Sequence, residues 1–151
     1  MARKGGTLGN VPSEYGFEWK SRIRYGRYPL IHIAVGRGAD GKIRVARGVI
    51  AIGQFGVGLV TIAQCGVGFL FGIGQAILAP IVIAQVAVGV IFGVGQIAAG
   101  HAAIGQIVFA QYGLAQAGLA RHLWSMTVKD PEAVEFFSHL FEASLTSFGL
   151  K

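Results

Sequence analysis

Residues 17–25 read Phe-Glu-Trp-Lys-Ser-Arg-Ile-Arg-Tyr, with mostly apolar odd positions and charged even ones. That alternation has the period of a half-buried strand. Residues 30–35 (Leu-Ile-His-Ile-Ala-Val) predict a second strand and residues 43–46 a third, with Asp40-Gly41 as the turn between them. From residue 48 the pattern changes to aliphatics interleaved with Gly and Ala. Gln falls at 54, 64, 75, 85, 96 and 106, at spacings alternating between 10 and 11. Beneath this lies a unit of five, an aliphatic between two small residues, as in Gly56-Val57-Gly58, Gly66-Val67-Gly68 and Ala87-Val88-Gly89. Four such units and one extra residue make 21, which predicts a four-sided coil of about 21 residues that stacks on itself at about 4.8 Å.

In that coil the central aliphatics (Ile52, Val57, Ile62, Val67, Ile73, Leu78, Ile83, Val88) point inward, as do Ile50, Phe55, Val60 and Cys65. Small residues such as Gly58 and Ala87 then form outer packing faces, together with Leu59, Phe69 and Val90. Gln54, Gln75, Gln96 and Gln116 stack as a ladder at one corner, and Gln64, Gln85 and Gln106 at another. Stacked side-chain amides stabilise such structure.

At the C-terminus, Asp130-Pro131-Glu132 supplies an N-cap, a first-turn proline and a first-turn acid. Val134, Phe137, Leu140, Phe141 and Leu145 then recur at spacings of three and four, predicting an amphipathic helix of about 15 residues. The expected fold class is all-β, a four-sided β-solenoid with a short N-terminal β segment and this C-terminal helix. The segments are a flexible polar arm (1–16), basic strands (17–47), the hydrophobic solenoid (48–122) and the helical segment (123–151), which serves as a cap for exposed strand edges.

Charge sharpens this division. Charged residues are only 13% of the chain, against 53% hydrophobic. Residues 1–47 carry ten Lys/Arg against Glu14, Glu18 and Asp40, a net of +7. Residues 48–120 carry no Lys, Arg, Asp or Glu, and residues 121–151 net −1. The head includes a basic patch, Lys20, Arg22, Arg24 and Arg27. Such a patch suits nucleic acid or an anionic membrane surface, but no nucleic-acid-binding motif accompanies it. Nucleic acid is therefore not the expected partner. The first thirty residues lack the apolar core of a signal peptide, so a cytoplasmic or membrane-associated location is expected.

The five-residue period with inward aliphatics resembles the pentapeptide-repeat proteins, whose likeness implies a right-handed, four-sided β-solenoid over about residues 48–120. Gly, Ala and Gln stand here where that family carries polar outer residues. Tyr28-Pro-Leu-Ile-His-Ile-Ala followed by Arg47-Gly-Val-Ile-Ala-Ile-Gly also looks like the start of bacterial proteins with Ala-Ile-Gly repeats. A rival reading places about three transmembrane helices in the 73 uncharged residues. Small residues recurring at i, i+2, their interleaving with Val, Ile and Phe, and the want of a polar loop favour strands.

No catalytic constellation emerges. Gly36-Arg-Gly-Ala-Asp-Gly41 fits a dinucleotide-binding spacing, but a strand follows it where that motif needs a helix. The four histidines have no metal-ligand spacing. We therefore expect no enzyme, no cofactor and no small-molecule substrate. The expected function is structural: self-assembly through stacked or laterally packed solenoids into a filament or layer, with the chain itself as partner. The alternative is a small membrane-embedded or membrane-associated protein with a basic cytoplasmic N-terminus.

Overall fold

The computed structural model describes residues 16–150, and they are mostly β-strand with one C-terminal helix. The polar arm assigned to residues 1–16 lies, but for Gly16, outside the described residues. Strand β1 (Phe17–Lys20) pairs antiparallel with β4 (Ile31–Val35), setting Lys20 opposite His32 and Phe17 opposite Val35. The strand expected through residue 25 stops at Lys20. Ser21 ends it by donating its backbone N–H to Ile31 O at 2.9 Å and its hydroxyl to Ile23 O at 2.7 Å. Arg24–Tyr25 (β2) and Tyr28–Pro29 (β3) then form a separate hairpin about Gly26-Arg27. Gly26 supplies the left-handed backbone (φ 61°) that this two-residue turn requires.

Strand β4 pairs in parallel with the start of β5 (Val45–Trp124), from Ile31 opposite Ile50 to Ala34 opposite Gly53. The strand expected at 43–46 begins at Val45. Ile43 makes only an isolated bridge to Arg37, across the turn in which Asp40 Oδ1 accepts from Lys42 N at 3.1 Å.

Two compact units divide the chain, one up to Ile77 and one from Leu78 onward. The boundary falls inside the repetitive body. In the first unit, a Cβ added to Gly58, Gly66 or Gly74 would meet the carbonyl oxygen of Gly48, Gly56 or Ala63. In the second, Gly95, Gly100, Gly105 and Gly118 stand in the same way against Ala84, Gly89, Gly95 and Val108. Each pair is ten or eleven positions apart in the sequence. A coil of 21 would place backbone neighbours 21 apart, whereas these contacts join positions ten or eleven apart. No sheet closes among the described residues, and the four-sided coil is not what these contacts describe. Positions five apart face each other across the inside. A Cβ on Gly56 would lie 3.5 Å from Ala51 Cβ and 2.9 Å from Thr61 Cγ2, and one on Gly113 would lie 2.8 Å from Val108 Cγ2.

Burial departs from many of the expected faces, although Leu59, Phe69 and Val90 are exposed as expected. The interior holds Ala51, Thr61 and Ala63 in the first unit, and Ala79, Val82, Ala84, Ala98, Ala103 and Val108 in the second. Gly58 and Ala87, expected to form outer packing faces, are buried. Val57, Ile62, Ile73, Leu78, Ile83, Val88 and Phe55, expected inside, are exposed, and Ile50, Ile52, Val60, Cys65 and Val67 are half-buried. The cause is room. Segments five positions apart lie so close that mostly glycine, alanine, valine or threonine fills the gap, with Ile77 a larger buried exception, and most larger side chains take the other side of the strand. Thr61 meets the cost of burying its hydroxyl by donating to Val67 O at 2.8 Å.

The C-terminal helix α1 runs Pro131–Ser147. Asp130 caps it, its Oδ1 accepting from Glu132 N at 2.9 Å, and Pro131 opens the first turn without sacrificing a hydrogen bond. Ala133 and Phe137 are its buried residues. Phe136 stacks on Tyr112 with ring centroids 4.4 Å apart, and Tyr112 also stacks on His122 at 5.1 Å. Only the first half of the helix is anchored in this way. Phe141 and Leu145, expected on its packed stripe, are exposed, as are Phe148 and Leu150 beyond it.

Candidate functional site

The body presents large aliphatic residues to its surroundings on alternate positions. In the first unit these include Leu59, Phe69 (61% exposed) and Leu70; in the second, Ile83, Val88, Val90 (68%) and Ile91. Single exposed hydrophobics are ordinary, but so many over residues 48–120 without a charge among them are not. The charged groups stand only before and after it. Of the Tyr and Trp residues, Tyr15, Trp19, Tyr25, Tyr28 and Trp124 also lie outside that stretch, and Tyr112 lies within it. Sequence reasoning passed over that distribution although it was legible.

The head is organised around Glu18. Its carboxylate accepts from Lys20 Nζ at 2.8 Å, from His32 Nε2 at 3.0 Å and from Arg44 Nη1. His32 is buried, and its Nδ1 accepts from the backbone N–H of Arg47 at 2.8 Å, which leaves Nε2 as the donor to Glu18. Both nitrogens are thus committed to structure. The hydrogen bond from Lys20, with further help from the Lys20 charge and from His32, outweighs partial burial and holds the Glu18 carboxyl below its ordinary value. A carboxylate with a lowered pKa in the folded state stabilises the fold above its unfolded-state pKa. That contribution is lost as the pH falls through the lower, folded value. The head sheet is therefore expected to loosen as the pH falls below the ordinary carboxylate range, seen as a rise in amide hydrogen exchange at residues 18–34. Glu18→Gln should show that faster exchange already at pH 7.

Of the expected basic patch, Lys20, Arg24 and Arg27 come together with Arg47 around an open hollow of ≈ 410 Å³, while Arg22 is exposed outside it. Tyr28 and Arg47 also border a second hollow of ≈ 520 Å³, lined by Tyr25, Val57, Leu59 and Phe69. Sequence reasoning did not connect Arg47 or the aliphatics with the patch, because the hairpin at Gly26-Arg27 and the parallel pairing of β4 with β5 bring them together.

The glutamines fall differently from the two ladders expected. Gly74 abuts Ala63, so the residues that follow, Gln75 and Gln64, sit on neighbouring turns rather than at separate corners. The same holds for Gln96 and Gln85, through Gly95 and Ala84, and for Gln106 and Gln96, through Gly105 and Gly95. Gln64, Gln75, Gln85, Gln96, Gln106 and Gln116 are exposed, and Gln54 is half-buried with its Oε1 accepting from Gly36 N at 3.2 Å. Among the described residues no hydrogen bond joins one glutamine side chain to another.

Near the helix start, His122 lies 3.4 Å from Asp130 Oδ2 through Nδ1 and 3.2 Å from Glu132 Oε2 through Nε2. Neither approach has hydrogen-bond geometry, and His122 Nδ1 is buried without a hydrogen-bond partner among the described residues. Among the described residues no group of three His, Cys, Asp or Glu is placed to hold a metal ion. None of the described helices is long and apolar enough to cross a membrane, and the three spans of the rival reading are strand. No protein-family model, curated protein or solved structure matches the chain.

Proposed function

We propose that the chain is a non-enzymatic, membrane-embedded structural protein whose uncharged body is a narrow β-solenoid, its turns half as long as the coil of 21. Backbone contacts between positions ten or eleven apart, with side-chain contacts between positions five apart, support that turn. The observation that carries the membrane reading is the inverted body, with glycine and alanine inside and exposed valine, isoleucine, leucine and phenylalanine outside. Water disfavours such a surface by about 25 cal/mol per Å², whereas hydrocarbon does not. Stacked turns hydrogen-bond their backbones to one another, as any structure in lipid must. Charged residues flank the 73 uncharged residues in sequence, as interfacial residues do.

The exposed glutamines favour a second reading, self-assembly. With the exposed His101 they are the polar side chains on an otherwise apolar surface, and amide side chains in lipid find partners across interfaces between chains. Fractionation of cells expressing the protein separates the two readings. The membrane reading expects the chain to stay with membranes through an alkaline carbonate wash and to require detergent for release. Ordered filaments or sheets in negative-stain micrographs of detergent-free protein would overturn it in favour of assembly in water.

A further inference from the structure

The two hollows of the head form one composite surface, because Tyr28 and Arg47 line both. The first is polar and cationic. Its charged lining is Lys20, Arg24, Arg27 and Arg47 with one acid, Glu18. Lys20, Arg44 and His32 already surround that carboxylate, so it does not neutralise the arginines. Arg24 donates through Nη2 to Arg27 O at 2.7 Å, which braces the hairpin while leaving the charge of its guanidinium in place. Arg27 and Arg47 have no ion-pair partner among the described residues. The second hollow is apolar: Val49, Val57, Leu59 and Phe69 line it, with the ring of Tyr25 alongside.

A cationic cup opening onto an aliphatic groove has the chemistry of an anionic amphiphile. We propose that this surface binds an anionic phospholipid, its phosphate against Arg27 and Arg47 and an acyl chain along Leu59 and Phe69. The inference rests on the membrane reading and deepens it. Guanidinium offers paired donors to phosphate oxygens, and the position of the cup, just before the uncharged stretch begins at Gly48, is where a headgroup would lie. A soluble phosphate lacks the chain that the groove would cover, and a neutral lipid lacks the net negative charge.

The test uses the full chain in nanodiscs made of phosphatidylcholine with and without phosphatidylglycerol, followed by native mass spectrometry of the lipids retained. Expected is retention of phosphatidylglycerol over phosphatidylcholine, falling about fivefold for Arg27→Gln and for Arg47→Gln and further for the pair. Phe69→Ser should weaken retention of either lipid without removing the preference for the anionic one. Glycerol 3-phosphate in solution should not displace the lipid. Insertion with no preference, or with a preference that the arginine variants leave intact, overturns the site while the membrane reading stands. Displacement by glycerol 3-phosphate overturns it in favour of a simple anion cup. Failure to enter either bilayer overturns both.

Discussion

The double variant Val88→Lys, Val90→Lys is expected to leave the membrane fraction while keeping the β-sheet signal of the wild type. Both side chains point away from the interior, with Val88 44% and Val90 68% exposed. Each valine alternates with the small buried residues Ala87 and Gly89, so the lysines need displace nothing inside. A lysine on the lipid face of a membrane β-structure costs about 2–4 kcal/mol near the bilayer midplane, so two weigh heavily against insertion. In water the same change should raise solubility. Flotation through a density gradient and far-ultraviolet circular dichroism check the two halves of the expectation. A variant that floats with vesicles as the wild type does would mean that this face never meets lipid. Val88→Ala, Val90→Ala, which removes bulk but adds no charge, should stay with membranes.

Gly74→Ala is expected to destabilise the body by about 1–3 kcal/mol, the range for an added methyl that forces a packed structure to move. Its new Cβ would fall on the carbonyl oxygen of Ala63, a backbone atom that no rotamer change can withdraw, with Ile77 Cδ1 3.0 Å away on another side. Ile73→Ala, one residue earlier, removes an exposed side chain (39%) and should cost little inside lipid. Denaturation in detergent, followed by circular dichroism, compares the two. Equal midpoints would mean that neighbouring turns do not approach as closely as the contact of Gly74 with Ala63 implies. The outcome bears on the repeat length itself, because a coil of 21 would leave Gly74 far from Ala63.

The five-residue unit and the alternating glutamine spacing were legible in the chain, but the length of a turn was not. A pattern with spacings of ten and eleven fits a coil of 21 with two glutamine corners as well as a turn of half that size with one. Once the larger coil is assumed, twice as much inside must be filled, and the aliphatics are drawn inward on paper. Ile83 and Ala84 show the consequence. The smaller turn brings its two sides so close that Ala84 is buried and Ile83 is 48% exposed. Strand alternation is indifferent to which set faces in. The head shows the same limit. Alternation found the strands near Phe17 and Ile31, yet nothing local tells that Glu18 meets His32 and Arg44, or that the hairpin at Gly26 carries Arg27 towards Arg47.

By itself the sequence determined the strand-rich class, the capped helix at Asp130-Pro131, the absence of charge from residues 48–120 and the cationic excess before them. These are local properties: period, capping chemistry and composition are written residue by residue. The tertiary structure decided which positions come into contact, the face on which each side chain stands and the company that Arg47 keeps. Those depend on which backbone lies beside which, and the distance between facing segments, rather than the hydrophobicity of any one residue, determines whether isoleucine or alanine fits between them.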